Sequence, residues 1–261
     1  MARPELARPE LARPELARPE LARPDFGRRA FLGCSLAAAV VSPAFGDSRS
    51  AHVDPSRPFG APSADLALVL AVDCSRSIDG REYRLQAEGY AAAFRHARVR
   101  RAILGGPTRR IAVTMTQWGG QFAQTQALGW TLLDAETAID AFAARLKAQP
   151  RLVDDDATAI GAAIDHAVRV LEKCPFAASR RTIDVSGDGR NNQGRFPRFA
   201  RDDAVAAGVG INGLPILTDE VNLASVYRSE VIGGQGAFVV SARGFSNFAD
   251  AVLHKLAAEI A

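Results

Sequence analysis

Histidine, cysteine and aromatic residues are scarce in this chain. Its 261 residues include four His, three Cys and 7% Phe, Trp and Tyr. His52 sits in a Pro-containing linker, while His96, His166 and His254 fall inside helical patterns, where each reads as packed or solvated. The stretch CSRSI around Ser75 lacks the G-x-S-x-G elbow of a serine hydrolase and has no His nearby in sequence, so it carries no nucleophile signature. Cys34 belongs to the N-terminal region. Cys74 falls in the loop after the first strand and Cys174 ends the helix that starts near Thr158, which carries the chain roughly 24 Å away, so the two are expected at opposite ends of the domain, too far apart for a disulfide, whose Cα atoms lie within about 7 Å. No apolar run reaches the roughly 20 residues of a membrane-spanning helix.

Charge of one sign is also in short supply. The formal net charge is +3, and residues 1 to 46 hold seven Arg against five acidic residues, so the remainder is almost balanced. No Lys/Arg stripe interleaved with aromatics marks a nucleic-acid surface. The pairs Arg100/Arg101, Arg109/Arg110 and Arg180/Arg181 flank helix or strand patterns and read as solvated faces. A hydrophobic fraction of 48% is enough to build a full core in one ordinary domain with additions.

What the chain does have is one decisive stretch, Ala64 to Ser77, ADLALVLAVDCSRS. Apart from Asp65 it is apolar up to Val72, the pattern of a strand buried on both faces, and it stops abruptly at Asp73. Asp73, Ser75 and Ser77 then place a carboxylate and two hydroxyls at alternate positions in a loop at the strand's carboxyl end, where an open α/β sheet carries its sites. Oxygen donors without His or Cys suit Mg²⁺, Mn²⁺ or Ca²⁺ better than zinc. Further along, strand and helix patterns alternate. A long helix is predicted over Arg81 to Leu104, strands over Arg110 to Gln117 and Phe122 to Trp130, and a helix over Asp134 to Ala148 with Asp134 as its cap. Thr158 to Leu171 reads as a helix, Thr182 to Ser186 as a strand, Phe199 to Ala207 as a helix and Val209 to Leu217 as a strand. A short helix over Leu223 to Glu230, a final strand over Ala237 to Val240 and a terminal helix over Phe245 to Ile260 complete the chain. This alternation predicts a doubly wound α/β fold, a mostly parallel sheet with helices on both faces, in which the strand after the WGGQ turn is an antiparallel edge.

The D-x-S-x-S triplet of Asp73, Ser75 and Ser77 resembles the metal-ion-dependent adhesion site of the von Willebrand factor A domain. The resemblance implies two more ligands, a Thr on a later loop and an Asp after a central strand. Thr158 in DDDATAIGAAIDHA and Asp188 in TIDVSGDGRNN match them. It extends from about Ala64 to the C-terminus and is closer still to uncharacterised bacterial exported proteins of the DUF1194 type. What it implies is a Mg²⁺, Mn²⁺ or Ca²⁺ ion held by Asp73, Ser75, Ser77, Thr158 and Asp188, directly or through water. One coordination position would remain for an acidic side chain of a protein partner. The bland alternative makes Ser75 or Ser77 and Thr158 helix N-caps, which leaves two carboxylates at adjacent strand ends without a reason. Trp118, Asp156, Asn191 and Asn192 are candidates for a ligand rim, Trp118 as a residue projecting from a turn. Asp154, Asp155 and Asp156 otherwise form a solvated acidic loop, and Asn191 and Asn192 otherwise bond the loop after Asp188. Asp219 and Glu220 border the same surface or a solvated loop. Asp184, inside a buried strand pattern, calls for a cation or a backbone donor as its partner.

Residues 1–26 repeat the pentapeptide ARPEL four times with a fifth, altered copy. A proline in every unit denies regular helical bonding, and a disordered tract is expected. In residues 27–46 Arg28 and Arg29 precede Phe31, Leu32 and a modest Ala-rich run that ends at Pro43, which resembles a twin-arginine export signal. A buried N-terminal helix or lipidation at Cys34 are the alternatives. Residues 47–63 are read as a linker and 64–261 as the domain. The combined expectation is a periplasmic or otherwise exported protein, free or at the outer face of a membrane. It would act as a metal-dependent protein-interaction module; a metal-stabilised structural component of the envelope, or a metal-dependent hydrolase, is the alternative.

Overall fold

In the computed structural model the described residues are 62–218 and 220–261. The pentapeptide repeat, the twin-arginine segment, Cys34, His52, nearly all of the linker and Asp219 lie outside them.

The centre of the domain is β1 (Ser63–Asp73). Its alternating side chains divide the interior, with Leu66, Leu68, Leu70 and Val72 in one core and Ala67, Val69 and Ala71 in the other, all buried. Around it lie β2 (Ile111–Trp118), β3 (Gln124–Leu133), β4 (Ala177–Gly187) and β5 (Gly210–Pro215) in the order β3-β2-β1-β4-β5. β2, β1, β4 and β5 run parallel, and β3 returns antiparallel at the edge. The register sets Asp73 opposite Trp118 and Val72 opposite Ser186, so that β1, β2 and β4 end level with one another.

Helices α1 (Gly80–Arg95), α2 (Ala97–Gly105), α3 (Glu136–Ala148) and α7 (Phe248–Ile260) supply the larger core, in which the rings of Phe94 and Phe142 pack edge to face at 5.2 Å and those of Tyr90 and Phe248 at 5.4 Å. Helices α4 (Ile160–Glu172) and α5 (Pro197–Ala206), with the short α6 (Leu223–Val226), cover the opposite face. There Ala67, Ala71, Ala163 and Ala167 are all small, and α4 approaches the sheet over short side chains.

Three expectations need correction. The helix drawn over Arg81 to Leu104 is two helices, because His96 is extended (φ −70°, ψ 136°) and its Nδ1 accepts the backbone N–H of Arg98 at 3.1 Å, capping α2. Asp134 caps nothing: α3 begins after Ala135, without a side-chain cap. The final strand over Ala237 to Val240 is reduced to isolated bridges, Gly213 with Val239 and Ile216 with Ala242. The side chain of Asn212 accepts the N–H of Phe238 at 3.0 Å, and Gly234 and Gly236 approach this segment with φ of +94° and +73°, so the chain arrives beside β5 without the geometry of a ladder.

A buried ionic cluster joins α7 to the sheet. Asp184 of β4 pairs with Lys255 at 2.6 Å, Lys255 also reaches Glu259 at 3.2 Å, and Asn212 of β5 donates to Glu259 at 2.7 Å. The partner sought for Asp184 is therefore Lys255. Burial raises the Asp184 carboxyl to about 7, although Lys255 pulls it down.

Candidate metal centre

The loop after β1 is shaped first by its own backbone. Asp73 Oδ1 accepts the N–H of Ser75 at 2.7 Å, and Ile78 N–H returns to Ser75 O at 3.0 Å. That turn brings the two hydroxyls 3.2 Å apart, and Ser77 Oγ donates to Asp188 Oδ1 at 2.7 Å across the gap between β1 and β4. Asp73, Ser75 and Asp188 are buried, whereas Ser77 is exposed, so the group opens to solvent at one side.

Neither serine is a helix cap. α1 is capped by Asp79, which accepts from Arg81 and Glu82 while Glu82 Oε2 accepts from the Asp79 N–H, a complete capping box. Thr158 is not a cap either, since α4 starts after Ala159 without a side-chain bond. Instead Thr158 is stitched to the loop after β4. Its N–H donates to Asn192 Oδ1 at 2.8 Å, its carbonyl accepts from Asn192 N–H at 2.9 Å, and its hydroxyl oxygen lies 3.5 Å from where Gly189 would carry a Cβ. The loops bearing Asp73, Ser75, Ser77, Thr158 and Asp188 thus meet at the carboxyl edge of the sheet.

The electrostatics of this group are unfavourable as they stand. Asp73 is fully buried, and its Oδ2 has no hydrogen-bond partner among the described residues. Burial, and after it the nearby negative charge of Asp188, push the Asp73 carboxyl up to about 7, offset only in part by hydrogen bonds from Ser75 and the Asp188 backbone. Two carboxylates and three hydroxyls form a donor set that fits a hard divalent cation. Among the described residues no group of three or more His, Cys, Asp or Glu side chains is placed to hold a metal ion.

The candidate rim residues divide. Trp118 is wholly buried at the end of β2, and the expectation that it projects from a turn is wrong: its register opposite Asp73 carries the indole under the loops, where its ring edge comes within 3.2 Å of the position of a Cβ on Gly187. Asp156 is exposed and holds Arg76 at 2.6 Å. Asn191 and Asn192 bond backbone, Asn191 Oδ1 accepting from Gly161 and Asn192 Oδ1 from Thr158, and so fix the β4–α5 loop to the start of α4. Glu220 pairs with Arg190. Cys74 is buried beneath the loop and its thiol pKa is raised by that burial, so it is no reactive thiol; it is not joined to Cys174.

Sequence reasoning missed Arg151. Its guanidinium donates to the carbonyls of Cys74 at 2.8 Å, Ile78 at 2.9 Å and Val153 at 2.8 Å, binding the first loop to the α3–α4 loop. A single Arg after Pro150 in a loop has no periodic or motif signal by which to be found.

With this geometry in view, the relatives are informative. The profile of a family described as protein of unknown function (DUF1194) matches residues 63–261. The chain belongs to that family. Its fold is shared with a von Willebrand factor type A protein from Catenulispora acidiphila, at 16% identity and a TM-score of 0.51, over 76% of this chain and 43% of that one. Proximal thread matrix protein 1 from the mussel byssus, in a structure with a zinc-occupied MIDAS motif, aligns at 16% identity and a TM-score of 0.51, over 74% of this chain and 46% of that one. The conserved hypothetical protein BatB from Bacteroides thetaiotaomicron aligns at 18% identity and a TM-score of 0.50, over 75% of this chain and 98% of its own. This chain spans less than half of the length of the first two. No curated protein matches it in sequence. The fold is that of a von Willebrand factor A domain, a five-stranded mixed sheet with helices on both faces.

Proposed function

We propose that this chain is an exported protein-interaction module that holds a divalent cation through Asp73, Ser75, Ser77, Thr158 and Asp188 and offers it to a carboxylate of a partner protein. The observation that carries the proposal is the buried, unpartnered Oδ2 of Asp73 beside Asp188 and a chain of hydroxyls, a negatively charged group to which a cation brings the missing partner. Bound there, Mg²⁺, Mn²⁺ or Ca²⁺ supplies a positive centre for an incoming carboxylate. The likeness to a protein with a zinc-occupied site of the same kind supports metal binding and leaves the metal open.

The surface around the group supports recognition rather than turnover. Large exposed apolar side chains gather in the loops at this edge of the sheet: Phe122, Leu152, Phe196 and Val221, with Phe199 in the first turn of α5. Arg198 stacks on the rings of Phe196 and Phe199, 4.8 Å from each centroid, and adds a cation there. Of the His among the described residues, His96 caps α2, His166 lies in α4 with its pKa lowered by burial, and His254 lies in α7. Export rests on Arg28, Arg29 and the apolar run after them; among the described residues no helix is long and apolar enough to cross a membrane.

Retention of proteins from envelope extract on the immobilised full chain tests this reading. The expected result is capture in Mg²⁺ that is lost in chelator and in Asp188→Ala. Capture that is equal under all three conditions would contradict a metal-bridged contact.

A further inference from the structure

The site has a second layer on the side away from solvent, built around two glycines. Gly187 ends β4 and Gly213 lies inside β5, one strand apart, and a glycine within a strand marks a close approach by another group. Here the group is one residue, Tyr227. A Cβ on Gly213 would lie 2.6 Å from the Tyr227 ring, and a Cβ on Gly187 would lie 3.0 Å from the Tyr227 hydroxyl. The ring therefore crosses β5 in the slot that Gly213 leaves and delivers its hydroxyl to the end of β4.

That same position on Gly187 is 2.7 Å from Oδ2 of Asp73. Tyr227 is fully buried, and its hydroxyl, like Oδ2 of Asp73, has no hydrogen-bond partner among the described residues. A buried donor and a buried acceptor, both unmatched, face the same position; leaving either so is costly, so their juxtaposition needs a reason. The backbone adds another. Tyr227 opens a π-helical turn, Tyr227–Val231, closed by the bond from Ile232 N–H to Tyr227 O at 3.0 Å, and such turns are rare and gather at functional sites.

We propose that Tyr227 is the positioning residue of the metal centre: its hydroxyl is the donor for Oδ2 of Asp73 and fixes the plane of that carboxylate towards the cation. Groups that orient a ligating carboxylate typically contribute about 10- to 100-fold to metal affinity. This inference rests on the metal reading given above.

Its test is calorimetric titration of the full chain with Mn²⁺, alongside thermal unfolding of the metal-free protein, for wild type, Tyr227→Phe and Tyr90→Phe. Tyr90 is an equally buried tyrosine whose hydroxyl donates to Ser186 Oγ at 3.3 Å and serves as the control. Tyr227→Phe is expected to weaken Mn²⁺ binding about 10-fold or more with the metal-free unfolding midpoint nearly unchanged, while Tyr90→Phe keeps the affinity of wild type. Wild-type affinity in Tyr227→Phe, or an equal loss in both variants, overturns the assignment. A wild-type chain that takes up no Mn²⁺ removes the metal reading itself, and this inference with it.

Discussion

The two carboxylates of the site make opposite demands on the protein with and without a cation. In the metal-free chain the Asp73 carboxyl is raised to about 7 by burial and by Asp188, so the folded state binds a proton that the unfolded state has released between about pH 4 and 7. Stability contributed by this group is then greatest below that window and falls as the pH rises through it. The metal-free chain should unfold at a lower temperature at pH 7.5 than at pH 5.5, and Asp73→Asn should flatten the difference; an unchanged slope in the variant would contradict the assignment. Asp184, also raised to about 7, adds to the slope of both proteins and cancels in the comparison. A second contrast separates ligands from caps. Asp79→Ala removes the capping box of α1 and should lower the unfolding midpoint while leaving metal affinity intact. Ser77→Ala should do the reverse, losing affinity at nearly constant unfolding temperature, as paired melting and titration curves will show.

The elements that carry the site were legible to different degrees. Asp73 could be placed because β1 is an unbroken apolar run that ends in a carboxylate, a signal strong enough to fix both the strand and its end. The level ends of β1, β2 and β4 followed from strand and helix alternation. Trp118 was misplaced by one residue of strand: read as the start of the WGGQ turn, it is the last residue of β2 and turns inwards. His96 was hidden because apolar spacing continues across the break between α1 and α2, and only its extended backbone ends the helix. Tyr227 and Arg151 could not be read at all, since a slot between strands and a guanidinium that collects carbonyls are products of tertiary packing. At this scale Arg151 is the most exacting test. Arg151→Ala frees the carbonyls of Cys74 and Ile78 and should destabilise the domain by about 2 kcal/mol and loosen the site loop. Arg151→Lys should recover only part of the loss, because an ammonium cannot reproduce the spread of the planar fork. Denaturant titration of the three proteins decides it, and full recovery in the lysine variant would count against this role.

At the scale of the whole molecule, the sheet carries both a buried ionic cluster and the proposed metal centre. Its interior is tied to the terminal helix by the Asp184, Lys255 and Glu259 cluster, in which two carboxylates share one ammonium. Lys255→Met leaves both acids buried without their cation and should cost about 3–5 kcal/mol, measured by denaturant unfolding. Its carboxyl edge gathers the polar group and the exposed Phe122, Leu152, Phe196 and Val221. The claim on which all of this turns is that a cation binds where Asp73 and Asp188 meet. Calorimetric titration of the full chain with Mg²⁺, and then Mn²⁺, beside Asp188→Ala, tests it most directly. The account predicts saturable binding at one site in the wild type and none in a variant that still unfolds cooperatively; identical heats in the two proteins would contradict it.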